Sequence, residues 1–70
     1  MYEGLKGNDK HIVDTAFATL EQSGSQHAAA VFCGEREKLG TGSPLDFMIL
    51  QSYTGSLEAM REGILGFYAV

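Results

Sequence analysis

Seventy residues, 7.6 kDa and a net charge of −4 fit one small domain and nothing larger. A chain this short hides only about 60% of the surface its unfolded form exposes, so a disulfide, a metal or a partner subunit is the expected support for a thin core. One cysteine excludes an internal disulfide, no Cys/His cluster suggests zinc, and five basic residues against nine acidic ones argue against nucleic acid as ligand.

Punctuation at Gly7-Asn8, Ser23-Gly24-Ser25, Gly34, Gly40-Thr41-Gly42-Ser43-Pro44 and Thr54-Gly55-Ser56 divides the chain into five segments, with no repeat or low-complexity tract. In the first, residues 8 to about 22, Ile12, Val13, Ala16, Phe17 and Leu20 take the i, i+1, i+4, i+5, i+8 spacing of one helix face. Asp14 and Glu21 lie opposite. Asn8 or Asp9 is the expected N-cap, and Gly24 the natural stop.

The second segment, residues 27–33, reads as a strand because Val31 and Phe32 favour extended backbone over the preceding alanines. Ala28, Ala30 and Phe32 then face one way and Ala29, Val31 and Cys33 the other, so both faces are apolar. Gly34-Glu35-Arg36-Glu37 reads as a turn into a second strand at about residues 37–41, giving a two-stranded antiparallel hairpin. The run Leu45-Asp46-Phe47-Met48-Ile49-Leu50 fits a buried helix or a buried strand. Its entry favours the helix, from 44 to about 53: Ser43 can cap, Pro44 suits the first position and Asp46 complements the helix dipole. The last segment, residues 57 to about 68, opens on Ser56 and places Leu57, Met60, Ile64, Phe67 and Tyr68 on one helix face. Beside that face runs a strip of small residues, Ala59, Gly63, Gly66 and Val70. Interior glycines cost a helix about 1 kcal/mol each, so the strip implies either close approach of another helix or a fraying end.

The resulting expectation is an α+β domain of order α-β-β-α-α, with α-β-β-β-α as the alternative. Chemistry is hard to place on it. Cys33, His11 and His27 invite a nucleophile or metal reading, but Cys33 sits in an apolar segment and the spacings match no compact ligand pattern. Gly40, Thr41, Gly42 and Ser43 pass from a predicted strand into a predicted helix and form a candidate anion-binding loop. That loop lacks a Walker lysine, Pro44 removes a donor and Asp46 already supplies a negative charge. Glu35 and Glu37 alternate with Arg36 and Lys38, the pattern of a solvated tip. Met48 and Met60 fall on apolar helix faces, and Tyr53, Phe67 and Tyr68 form a candidate aromatic cluster.

No apolar run approaches the roughly 18 residues of a membrane span. Met1-Tyr2-Glu3-Gly4 lacks the basic and apolar regions of a signal peptide, so a reducing cytoplasm is the expected setting. The function expected is a non-enzymatic interaction module without a cofactor, acting as a homo-oligomer, most simply a dimer. Unpaired edges of an apolar hairpin would drive it. The contact residues expected are Val31, Phe32, Met60, Gly63, Ile64, Gly66, Phe67 and Tyr68. The alternatives are a phage-type inhibitor that blocks a host protein such as a defence nuclease, and a small anion or nucleotide binder using the glycine loop.

Overall fold

The computed structural model describes residues 7–68, all of whose regular structure is helical. Four helices follow in order: α1 (Gly7–Ser23), α2 (Ser25–Lys38), α3 (Pro44–Gln51) and α4 (Leu57–Gly66). The N-terminal tetrapeptide and Val70 lie outside the described residues.

The first segment folds as its spacing predicts: Ile12, Val13, Ala16 and Leu20 are buried along one stripe of α1. Asn8 and Asp9 lie inside the first turn rather than at the cap, with Asp9 setting a negative charge against the positive helix end. Gly24 does stop the helix. Its φ of 94° is one that L side chains rarely adopt, and its N–H donates to the Leu20 carbonyl at 3.1 Å while its own carbonyl accepts from Ala28. This single residue turns the chain from α1 into α2, and these two helices make the most extensive pairing in the molecule.

The expected hairpin does not exist, and with it the α+β class, in both strand orders, is corrected to all-α. Residues 27–33 and 37–38 belong to one helix that runs through Gly34. Three consecutive alanines and the helix-forming run Glu35-Arg36-Glu37-Lys38 outweigh the two β-formers, Val31 and Phe32. Arg36 and Lys38 also place positive charge in the last turn, where the helix dipole favours it. The buried set Ala28, Ala29, Phe32 and Cys33 repeats at i, i+1, i+4, i+5, while Ala30 is exposed. That is the period of a helix; alternation would have hidden Ala30 together with Ala28 and Phe32.

The C-terminal end of α2 closes in a Schellman motif. Gly40 takes φ 77° and its N–H donates to the Glu37 carbonyl at 3.0 Å, while the Thr41 N–H reaches the Arg36 carbonyl at 3.0 Å. The chain then enters α3 through a capping box: the Ser43 hydroxyl accepts from the Leu45 N–H, and the Ser43 N–H donates to Asp46 Oδ2 at 3.1 Å. With Pro44 in the first turn, the helix reading of this segment holds against the strand. Ser56 caps α4 in turn by accepting from the Ala59 N–H at 3.0 Å.

The core is formed by the stripes of α1 and α2, closed by Leu50 of α3 and by Met60 and Ile64 of α4. Total accessible surface is 4384 Å², close to the roughly 4300 Å² expected of a folded monomer of this mass. One copy therefore buries an ordinary amount of surface.

Two glycines test the packing with opposite signs. A Cβ at Gly42 would lie 2.9 Å from Arg36 Cβ and 3.2 Å from the Arg36 carbonyl carbon, so Gly42→Ala is expected to cost about 2 kcal/mol by overpacking. A Cβ at Gly34 meets nothing within 4 Å. Gly34→Ala is therefore expected to stabilise α2 by about 1 kcal/mol. Urea denaturation midpoints of the two variants should move in opposite directions.

Candidate functional site

The surface feature that stands out is the outer face of α3. Only Asp46 and Leu50 of this helix point inward. Leu45 is 64% exposed, Met48 70%, Ile49 50% and Phe47 37%, and Tyr53 just beyond the helix is 38% exposed. Gln51 and Ser52, both exposed, supply a polar rim. Across residues 39–57 the only charged side chain is Asp46, which is buried. The exposed large apolar groups thus lie in a stretch whose surface carries no charge.

Asp46 holds α3 at this angle. Its carboxylate faces the Arg36 guanidinium of α2, with Oδ2 3.4 Å from Nε and both side chains almost wholly enclosed. The contact is ionic, since the Arg36 Nε–H makes no hydrogen bond. Arg36 Nη2 donates to the Thr41 carbonyl at 2.9 Å. The guanidinium carbon also stands 5.5 Å from the Phe32 ring centre, 5.1 Å from that of Phe67 and 5.5 Å from that of Tyr68. Three ring faces and one carboxylate thus surround a single cation, and the arrangement ties α2, the entry to α3 and the end of α4 together. Phe32 in turn packs 5.4 Å from Phe67 and edge-on to Tyr68 at 6.2 Å.

The same cluster sets the chemistry of Cys33. Burial foremost, and then the Asp46 charge, push its thiol from 9.0 up to about 11, with Arg36 pulling the other way. Burial likewise raises the Tyr68 phenol above its ordinary 10.0. At neutral pH Cys33 is a closed, protonated thiol, so a nucleophilic role has no support here. Native Cys33 is expected to resist thiol reagents at pH 8 until the chain unfolds. An acid whose folded pKa is raised stabilises the fold below its unfolded pKa and ceases to as pH climbs through the folded value. Stability should therefore decline between pH 9 and 11, by about 2 kcal/mol from Cys33. Cys33→Ala should flatten that decline in a pH series of urea midpoints.

The expected contact residues divide. Phe32, Met60, Gly63 and Ile64 are buried within one chain; Val31, Phe67 and Tyr68 are half-buried, and Gly66 is exposed. Close approach at Gly63 is made inside the molecule: a Cβ there would lie 2.8 Å from the Tyr53 ring. Gly63, Gly66 and Phe67 line, with Ile49 and Tyr53, an open groove of about 300 Å³ between α3 and α4. The glycine loop has no donor left for an anion. The Gly40 N–H donates to Glu37, those of Thr41 and Gly42 to Arg36, and that of Ser43 to the Asp46 carboxylate. His11 and His27 are exposed, and no group of three His, Cys, Asp or Glu side chains among the described residues is placed to hold a metal.

Neither part of this site stands out in the sequence. Arg36 read as a solvated tip charge, although on a helix it falls four residues after Phe32 and three after Cys33, on the buried side. Leu45, Met48 and Ile49 read as core, although nothing in the run itself distinguishes an inward apolar face from an outward one. Among the described residues no helix is long and apolar enough to cross a membrane. No family model, curated protein or solved structure matches this chain.

Proposed function

We propose that this chain is a non-enzymatic interaction module that self-associates through the outer face of α3, in a cytoplasmic setting that suits its lone free thiol. The observation that carries the reading is the uncharged apolar surface formed by Leu45, Phe47, Met48, Ile49 and Tyr53. At roughly 200 Å² for a fully exposed large apolar residue, these five offer on the order of 500 Å². That is about a ninth of a total surface of 4384 Å², and it matches the roughly 300–600 Å² of the largest apolar patch on a monomer, a patch that is often functional.

A second copy is the occupant that charge favours. Across a two-fold axis a patch meets itself, so any net charge on it would repel; this patch carries none, although the chain as a whole is at −4. A different protein is ordinarily steered and oriented by charges at the rim. Here Gln51 and Ser52 border the face on one side, and Gln26 and His27 of α2 adjoin Phe47 on the other, with no Asp, Glu, Lys or Arg among them. The apolar centre with an uncharged polar border has the anatomy of an interface.

Sedimentation equilibrium tests the proposal. The wild-type chain at tens of micromolar is expected at twice 7.6 kDa. Met48→Asp, which puts a charge at the centre of the face without touching the core, is expected at the single-chain mass with its helicity intact. A wild-type chain that stays monomeric throughout the range overturns the proposal.

A further inference from the structure

Resting on the self-association just proposed, we infer that the groove between α3 and α4 receives Met48 of a second copy, each copy giving one methionine and taking one. At about 100° per residue, Met48 stands opposite the inward-pointing Asp46 and Leu50, at the crest of α3. Leu45, one turn earlier, extends that crest. Ile49 lies on the flank towards α4 and forms one wall of the groove. A ridge and a hollow thus run side by side on one surface. A two-fold axis passing between them carries each ridge onto the other copy's hollow, the self-complementary arrangement of a closed dimer.

The dimensions and the chemistry agree with this occupant. The open groove of about 300 Å³ is ample for one unbranched side chain. Its lining is Ile49, Tyr53, Gly63, Gly66 and Phe67, with no charged group. A Cβ at Gly66 would meet nothing within 4 Å, so the groove is open at that point. Methionine, flexible and polarisable, suits a hollow walled by two aromatic rings. The groove walls beyond Ile49 and Tyr53 add little to the roughly 500 Å² of the face, so two copies together bury on the order of 1,000 Å², the lower bound of a specific interface.

The test is Gly66→Leu, which brings a branched apolar side chain into the groove from a position where an added Cβ meets nothing within 4 Å. Its dimer dissociation constant is expected to rise at least tenfold while the far-ultraviolet circular dichroism stays unchanged. An independent measurement mixes chains carrying Met48→Cys with chains carrying Gly66→Cys under mild oxidation; the mixed disulfide is expected to form faster than either like pair. A monomeric wild type overturns self-association itself. A wild-type dimer leaves self-association standing but overturns the groove assignment if Gly66→Leu dissociates no more readily, or if the mixed disulfide does not outpace the like pairs.

Discussion

Phe32→Ala is expected to destabilise the protein by about 4 kcal/mol, the largest effect of any single truncation. Phe32 is fully buried on α2 and touches both aromatic rings at the end of α4. Removing its ring opens a cavity at the junction of helices and strips one of the three faces that surround the Arg36 guanidinium. A domain of this length has a total stability of only about 4–10 kcal/mol. The variant should therefore be largely unfolded near 40 °C, and a calorimetric scan would show a transition displaced far below that of the wild type. A loss under 1 kcal/mol would mean that the core is organised around other contacts.

Asp46→Ala is expected to cost about 3 kcal/mol for two separable reasons. It leaves the enclosed Arg36 cation without its counter-charge, the heavier loss. It also removes the carboxylate that accepts the Ser43 N–H at the start of α3, a capping contact worth about 1 kcal/mol. The double variant Arg36→Met with Asp46→Asn separates the two: the cation disappears and an acceptor for the cap remains. Urea denaturation should find the double variant more stable than Asp46→Ala alone. If the double variant is the weaker, the aromatic faces around the guanidinium contribute more than the ion pair.

What was legible in the chain depended on whether its signals were local. The stripe of α1, the Ser43-Pro44-Asp46 entry to α3 and the Ser56 cap of α4 are short-range patterns, and the structure realises each of them. The helix α2 was hidden because its outward residues, Ala30 and Val31, are as apolar as its inward ones, which erases the period. Gly34, a punctuation mark in the sequence, sits inside that helix. The character of α3 was hidden for a different reason. Leu45-Asp46-Phe47-Met48-Ile49-Leu50 is apolar enough to be core, and only the placement of the other helices shows that Asp46 and Leu50 go in while Leu45, Met48 and Ile49 stay out. The Arg36 cluster was illegible because it joins residues far apart in sequence, with Asp46 entering from α3 and Phe67 and Tyr68 from the end of α4.

The motive for self-association shifts accordingly. Strand edges cannot supply it, since the described residues contain no strand, and a shortage of core cannot either, since one copy already reaches the surface area expected of its mass. What remains is one uncharged apolar face, held outward by a buried ion pair at its base.

Small-angle X-ray scattering over a dilution series tests that face most directly. One chain has a radius of gyration of 10.7 Å; the predicted result is a markedly larger value at high concentration that falls towards this one on dilution. A radius fixed near that of a lone chain at every concentration would show Leu45, Met48 and Ile49 living in water, and would contradict the account.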